Sequence, residues 1–208
     1  MTRLPVRGLA LAALLLLAGC VGGGRADLYR FGSASAPATK TPATATTALM
    51  VVSYPGSRFS PPASGDRILT INGVQASYIA KARWVSSAPE LFDAAAIEAF
   101  ETRAPGLRLI SHDDLARAPY LLLIDVPHFE ALYTGGEKAP PEIMVESRAR
   151  LVRRADRAIV AEWDVRRTEP AAENRVGAIV SAFDRATAGV INEIADHARQ
   201  TIPALPPG

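Results

Sequence analysis

The sequence is informative first in what it has little of. Its 208 residues contain one cysteine and three histidines, and aromatic side chains make up 6% of the chain. One thiol cannot form a disulfide within the chain, and no His-x-x-x-His pair is present to help bind zinc. Walker A and Gly-x-Ser-x-Gly motifs are also absent. We therefore expect no intrinsic ATPase, no metal site and no dissociable cofactor.

The charge balance argues against one class of partner. The formal net charge is +2, and it falls to about zero if an N-terminal signal containing Arg3 and Arg7 is removed. Proteins that bind polyanions usually carry a basic excess on one face, so we do not expect nucleic acid as a partner. The only local concentration of arginine alternates with apolar residues, as on the solvated face of a strand, and comprises Arg148, Arg150, Arg153, Arg154 and Arg157.

The N-terminus has the layout of a secretory signal. Arg3 and Arg7 precede an apolar run over residues 9–18, and small residues follow this run. A bilayer-spanning helix needs about 20 apolar residues, so the run is too short to remain as a transmembrane anchor. We expect residues 1–19 to be a cleaved signal peptide.

The only cysteine directly follows this signal. Leu17-Ala18-Gly19-Cys20 resembles the bacterial lipobox, whose cysteine receives a diacylglycerol on sulfur and, after cleavage, an acyl chain on its amine. Several chains on one residue give stable anchoring, whereas a single chain binds a membrane marginally. We predict lipidation of Cys20; the alternative is an ordinary signal peptide with an incidental cysteine. Val21 follows in place of aspartate, which by resemblance to enterobacterial lipoproteins predicts export to the outer membrane.

Composition divides the mature chain into a linker and one domain. Residues 33–47 contain no aromatic or large aliphatic side chain, so they cannot bury enough surface to offset the entropy of ordering them. We expect residues 20–48 to be a lipidated N-terminus and tether, of which residues 22–47 span about 25–30 Å as a flexible chain. Residues 49–202 then form a single domain of ordinary size, followed by a loose tail at residues 203–208.

Periodicity predicts the main elements of this domain. Asn72-Gly73 between two β-type runs is a strong hairpin signal, normally for a type I′ turn. Pro89, with Ser87 as a cap, begins a predicted helix, and a helix of about 25 residues follows Pro170. The order of elements predicts an α+β fold, a two-layer sandwich in which a mainly antiparallel sheet carries both helices on one face.

The best available acid–base set lies on a predicted central strand. Residues 120–126 are apolar at almost every position, which is typical of a strand covered on both faces, and Pro127 then predicts a break or a bulge. Asp125 and His128 flank this proline, with Glu130 close by. Side chains three apart on a regular strand point to opposite faces, so only a bulge brings the two together. Our leading interpretation has no catalytic residue; a periplasmic hydrolase using Asp125, His128 and a hydroxyl is the enzymatic alternative.

A second conspicuous stretch is Arg83-Trp84, directly before the first predicted helix. A tryptophan in this position most often fastens the helix to the sheet in the core. The alternative is that Arg83 and Trp84 contact a partner protein. For Arg83 itself we expect stacking on the tryptophan or pairing with an acid.

Taken together, these segments resemble the ABC-type transport auxiliary lipoproteins. The resemblance covers nearly all of the mature chain, and one departure from the family pattern is Val85, where an acid more often follows the tryptophan. The features that carry it are the lipobox, a tyrosine-containing strand at 28–31, a loop and hairpin from residue 64 onward, the Arg83-Trp84 pair before a proline-started helix, the strand segment 125–130 and the long terminal helix.

The resemblance implies a function based on position. It implies a non-enzymatic lipoprotein of the outer membrane, facing the periplasm, that docks on an MCE-type periplasmic substrate-binding protein and its ABC permease and ATPase. Such systems move lipids or other hydrophobic compounds between membranes. The only attached group implied is the covalent lipid on Cys20. Self-association through an edge strand or the hairpin is a further expectation, and a pilotin-like chaperone that guides another envelope protein is a second alternative.

Overall fold

A computed structural model describes residues 25–32, 49–110 and 118–203. The predicted signal peptide, Cys20, residues 21–24 and 33–48 of the predicted tether and residues 204–208 of the predicted tail lie outside this part of the chain. The described residues form the strands β1 (Asp27–Tyr29), β2 (Met50–Ser53), β3 (Ser57–Phe59), β4 (Arg67–Asn72), β5 (Gln75–Trp84), β6 (Leu107–Ile110), β7 (Tyr120–Leu132), β8 (Glu142–Arg153) and β9 (Ala158–Pro170), a 3-10 turn (Pro61–Ala63) and the helices α1 (Ala88–Arg103) and α2 (Val176–Thr201).

Strand β7 is the centre of the sheet, as its apolar run predicted. Along one edge it pairs antiparallel with β8 from end to end. Along the other edge it meets β2, β3 and β4 in turn, each parallel to it. Strand β9 extends the sheet beyond β8, β6 extends it beyond β2, and β5 and β1 extend it beyond β4.

The predicted α+β class is confirmed, and the sheet is mixed. The long ladders β7–β8 and β8–β9 and the β4–β5 hairpin are antiparallel. The shorter pairings of β1 with β5, β2 with β6, and β2, β3 and β4 with β7 are parallel. Parallel neighbours need crossover connections rather than tight turns. Helix α1, which lies between β5 and β6 in sequence, is part of the connection from β2 to its parallel neighbour β6.

Both helices lie on one face of the sheet, as predicted. Phe92 of α1 packs on Phe59 of β3 with the ring centroids 5.6 Å apart. Phe183 of α2 packs on Phe129 of β7 at 4.9 Å. Because Phe59 and Phe129 are themselves in contact, at 5.2 Å, the two helices cover the same side of the sheet and share one core.

The helix ends follow the signals in the sequence. At the start of α1 the Ser87 hydroxyl accepts from the Glu90 backbone N–H, and the Glu90 carboxylate accepts from the Ser87 N–H, which is a capping box. Helix α2 runs for 26 residues from Val176 to Thr201, close to the predicted length. Its buried stripe recurs every three to four residues and comprises Ile179, Ala182, Phe183, Ala186, Thr187, Val190, Ile191, Ile194, Ala195 and Ala198.

The segment around β1 belongs to the domain, which corrects the expected start of the folded part at residue 49. Strand β1 pairs in parallel with the last three residues of β5. Phe31, just after β1, is 1% exposed and packs on Trp84 and Phe129, with ring centroids 4.9 and 5.1 Å apart. One large aromatic side chain thus fixes a segment that lies just before residues 33–47, whose composition suggested a linker.

Gly32 allows the chain to pass close to both helices directly after Phe31. Its φ is +77°, a conformation that favours glycine. A Cβ at this position would lie 2.8 Å from the Cβ of Ala95 in α1. The Gly32 N–H also donates to Oδ1 of Asp184 in α2 at 2.7 Å. The chain therefore leaves the N-terminal segment at a point fixed by α1 and α2 together.

The β4–β5 hairpin is present where predicted, with its turn one residue further along. Asn72 pairs with Gln75, so the two loop residues are Gly73 and Val74. Gly73 has φ +59° and Val74 does not have a positive φ, which is the pattern of a type II′ rather than a type I′ turn. Toward the end of β5 the pairing with β4 shifts register, and Lys81 there takes a left-handed conformation with φ +57°, so the hairpin contains a bulge.

The Asp93 carboxylate ties α1 to the start of β3. Its Oδ1 accepts from the Tyr54 hydroxyl at 2.6 Å, from the Ser57 N–H at 2.9 Å and from the Ser57 hydroxyl at 2.6 Å. Burial raises the pKa of the Tyr54 hydroxyl, and the neighbouring Asp93 charge raises it further. Gly56 has φ +100°, and a Cβ there would lie 2.9 Å from Asp93 Oδ2, so a side chain at position 56 would crowd the carboxylate.

Removing the Phe31 side chain should strongly destabilise the fold, because it would leave a cavity among Trp84 and Phe129. We expect Phe31→Ala to cost about 3–5 kcal/mol of unfolding free energy. Leu28→Ala, on the neighbouring strand and 64% exposed, is the matched control and should stay within about 0.5 kcal/mol. Urea unfolding of the non-acylated chain measures both free energies. A Phe31→Ala protein as stable as the Leu28→Ala protein would show that Phe31 does not belong to the core.

Removing the Asp93 carboxylate should cost less but still be measurable. Asp93→Ala leaves the buried Tyr54 hydroxyl without its acceptor, which should cost about 1–3 kcal/mol. Asp93→Asn keeps an acceptor oxygen and should recover part of this loss. Urea midpoints of the two variants, with the exposed Glu98→Ala on the same helix as a control, test the assignment. An Asp93→Ala protein as stable as Glu98→Ala would contradict it.

Candidate functional site

A bulge in β7 decides which side chains face the core and which face solvent. The pairing with β8 shifts register between Asp125 and His128, around Pro127. Val126 before the bulge and Phe129 after it are both buried, so inward positions are even-numbered before the bulge and odd-numbered after it. Of the two outcomes that Pro127 predicted, the bulge is the one observed.

The bulge places Asp125 and His128 on the same face, which is the side of the sheet opposite the helices and is called the open face below. Each is nevertheless engaged by other groups. Asp125 Oδ2 accepts from Arg150 Nη2 at 2.9 Å, and its Oδ1 lies 3.4 Å from Arg58 Nε. His128 Nδ1 lies 2.7 Å from Glu130 Oε1. The two members of the sequence-predicted set are therefore in separate contacts rather than in one catalytic unit.

Glu130 is the most buried charged group of this region, at 6% exposure. Its Oε2 accepts from the Phe129 N–H at 2.7 Å, while its Oε1 meets the half-exposed His128 ring. A carboxylate held in this way can orient an imidazole, and these two groups are two of the three members of a nucleophilic triad. The hydrogen bonds of the described residues bring no serine or threonine hydroxyl to His128.

Ion pairs across strands cover much of the open face. Arg148 lies 2.8 Å from Asp164, Arg150 holds Asp125, and Arg166 lies 3.8 Å from Glu146. Of the five arginines that we interpreted as a solvated sheet face, Arg148, Arg150 and Arg153 are matched by acids, which weakens the basic field of this face. Exposed pairs of this kind contribute about 0–1 kcal/mol each. The sequence alone does not reveal these ion pairs. Glu162, Asp164 and Arg166 become neighbours of β8 only through the register of β9.

Trp84 and Arg83 separate into different environments. Trp84 is 2% exposed and makes edge contacts with Phe31 at 4.9 Å and Phe183 at 5.4 Å. The core interpretation of this tryptophan therefore holds, and burial removes it as a partner contact. Arg83 faces solvent and pairs with Asp66, Nη1 lying 2.9 Å from both carboxylate oxygens, which is the acid pairing that we expected as one option.

The edge formed by β9 is the longest exposed strand edge of the described structure. Within the described residues β9 pairs only with β8. Charged side chains such as Glu162, Asp164 and Arg166 follow one another along it, which discourages pairing with another strand. Trp163 on the same strand stacks on His197 of α2, with the ring planes 7° apart and the centroids 5.4 Å apart, so this histidine has a packing role.

Within residues 25–32, 49–110 and 118–203, no helix combines the length and apolar character that crossing a bilayer requires. The same residues contain no group of three or more histidine, cysteine or acidic side chains placed to hold a metal ion.

Solved structures share the fold of this chain. A DUF330 protein from Xanthomonas campestris superposes with a TM-score of 0.70 at 21% identity. The superposition covers 85% of this chain and 96% of the Xanthomonas chain. A hypothetical protein from Chlamydia trachomatis superposes with a TM-score of 0.50 at 10% identity, covering 74% of this chain and 98% of its own. At these identities the likeness concerns the fold alone.

A sequence comparison goes further than the fold. No curated protein matches this chain. The family model described as the ABC-type transport auxiliary lipoprotein component, however, matches residues 29–195, which takes in every strand from the end of β1 to β9 and most of α2. The match covers well over half of the sequence, and the chain therefore belongs to the family of ABC-type transport auxiliary lipoproteins.

Proposed function

We propose that this chain is a lipid-anchored, non-enzymatic docking component of an ABC/MCE-type system that moves lipids or other hydrophobic compounds between membranes. Acyl chains on Cys20 hold it at the outer membrane, facing the periplasm. The domain then binds an MCE-type periplasmic substrate-binding protein, which works with an ABC permease and ATPase. Its contribution is to fix the position of these parts relative to one membrane.

The family match carries this proposal. It starts at residue 29, nine positions after the lipobox cysteine, so the domain follows the predicted anchor almost directly. Position and sequence thus agree on a lipoprotein whose folded part works next to a membrane. The export to the outer membrane is supported by Val21, and self-association stays a prediction.

The contacts of the acid–base set favour docking over catalysis. Asp125 lies between two arginine side chains, Arg150 and Arg58, which contact both of its carboxylate oxygens. His128 is occupied on one ring nitrogen by Glu130. A hydrolase would need a nucleophile in hydrogen-bond reach of its base. The hydrolase therefore has less support than the docking role.

The anchor is tested by Cys20→Ser. The variant lacks the thiol that accepts diacylglycerol, so its N-terminal peptide should carry no fatty acid and the protein should leave the outer-membrane fraction. Each buried CH₂ contributes about 0.8 kcal/mol to membrane binding, so the outer-membrane-bound amount should fall by more than about tenfold. Mass spectrometry of the N-terminal peptide and density-gradient fractionation measure this. Val21→Asp is the matched control: it should stay acylated but move to the inner-membrane fraction.

The non-enzymatic role is tested by His128→Gln. Glutamine can still donate a hydrogen bond to Glu130 but cannot act as an acid or base near neutral pH. We expect a deletion strain that expresses this variant to move labelled phospholipid between the inner and outer membranes as fast as with the native protein, whereas Cys20→Ser should not rescue this transfer. Loss of rescue by His128→Gln at unchanged thermal stability would favour the hydrolase.

A further inference from the structure

We propose that one edge of the domain, made of β1 and the β4–β5 hairpin, lies against the anionic phospholipid surface of the membrane that carries the anchor. This hairpin edge is defined by Arg25, Leu28, Arg67, Val74 and Lys81. It would be a second, non-covalent membrane contact beside the acyl chains. The inference rests on the proposed lipidation of Cys20, and it adds an orientation that lipidation alone does not give.

The direction of β1 sets which end of the domain is attached. Strand β1 runs parallel to β5, beginning beside Ala82 and ending beside Trp84. Arg25 and Ala26 therefore enter β1 from the direction in which β5 begins, and β5 begins at the hairpin tip. The N-terminal end of β1 thus points along this edge toward the tip.

The lengths bring the tip to the bilayer. Asp27 is seven positions after Cys20, and seven residues span at most about 25 Å when fully extended. Val74 is eight positions before Ala82, about 26 Å along a straight strand and less across the bulge. The anchor is therefore too short to keep a hairpin that points at the bilayer clear of its surface. Lys81 is seven positions from Val74, about 23 Å along the strand, and the attraction of a cation to the surface falls off within a Debye length. Val74 and the cations reach the surface together only when the whole edge lies along it.

The apolar side chains of this edge have no cover within the described structure. Val74 is fully exposed, at 107% of its reference area, and Leu28 is 64% exposed. Val74 occupies the outermost loop position of the hairpin, and Leu28 pairs with Arg83 on the outermost strand of this edge. An apolar residue flanked by polar side chains at a loop tip fits the headgroup region of a bilayer, where apolar and wet surroundings meet.

The charges of the hairpin edge are unlike those of the open face. Arg25, Arg67 and Lys81 form no salt bridge within the described residues, and Arg67 instead lies 3.8 Å above the Tyr78 ring. Asp27 and Glu137, which lies next to Asn72 and Gln75 of the hairpin, are the acids beside them that form no ion pair within the described residues, since Asp66 is held by Arg83. The edge thus carries a cationic excess in a domain of near-zero total charge, which complements an anionic phospholipid surface.

The orientation can be read from two single-cysteine variants of the full, lipidated chain. Acylation blocks the Cys20 thiol, so Val74→Cys and Ile159→Cys each offer a unique free thiol for a bimane label. Ile159 is a matched control because it is also an exposed β-branched residue, at 56%, and lies on β9 at the opposite edge of the sheet. Each labelled protein is reconstituted into vesicles of phosphatidylethanolamine and phosphatidylglycerol (3:1) that contain a headgroup spin-labelled lipid, after mass spectrometry has confirmed the acyl chains.

We expect quenching of the label at position 74 to exceed that at position 159 by at least about twofold, because β9 lies at the far edge of the sheet from β1, about 24 Å away. Equal quenching at the two positions on vesicles that hold the acylated protein would overturn the proposed orientation and leave the anchor intact. A chain that carries no acyl group and does not float with the vesicles would overturn the anchor, and the orientation with it.

The cations of the hairpin edge are tested by a separate set of variants. The double variant Arg25→Gln/Lys81→Gln, built on the Val74→Cys protein, removes two unpaired cations from the hairpin edge. Each lost cation should shift the ratio of docked to undocked domain about fivefold on the anionic vesicles, and vesicles of pure phosphatidylcholine should already show this lower quenching. Arg108→Gln/Arg154→Gln removes two exposed cations away from this edge and should leave quenching unchanged. Equal loss from both double variants would overturn the role of these cations.

Discussion

The packing of Phe129 is the contact on which the rest of the structure depends. Its ring touches Phe31 after β1, Phe59 of β3, Trp84 at the end of β5 and Phe183 of α2, with centroids 4.9 to 6.3 Å apart. Aromatic pairs of this kind contribute about 0.5–1.5 kcal/mol each beyond the area they bury. Phe129 can reach this position only because the bulge at Pro127 reverses the alternation of β7. Without it, His128 and Glu130 would face the core in its place.

The same reversal explains how few aromatic residues hold the two helices and nine strands of the described residues around one core. Elements distant in sequence converge on a single ring, so the N-terminal segment, the central strand and the last helix share one set of contacts. It also keeps the open face polar, because the bulge turns His128 and Glu130 to the side that carries Asp125 and the cross-strand ion pairs of β8 and β9. One inserted residue therefore separates the side of the domain that maintains the fold from the side that meets solvent.

The sequence predicted features whose causes are local. The Ser87 cap, the length of α2, the position of the hairpin and a disturbance at Pro127 each follow from a few neighbouring residues. The parallel pairings of β2, β3 and β4 with β7 did not follow, since no local pattern encodes which distant strands meet. The partners of Asp125 and His128 depend on the direction of a one-residue register shift, which Pro127 does not specify. Trp84 was assigned to the core correctly because its position before a capped helix is itself a local signal.

The inclusion of Phe31 in the core changes how far a lipid anchor could let the domain move. With residues 22–47 as one tether, the domain would have a typical span of about 25–30 Å from the membrane. Strand β1 divides that stretch: residues 33–48 connect β1 to β2 within the domain, and only the residues between Cys20 and Asp27 separate the fold from the predicted anchor. A flexible chain of seven residues typically spans about 15 Å. An acylated Cys20 would therefore hold the domain at the bilayer surface, so any partner must approach it there.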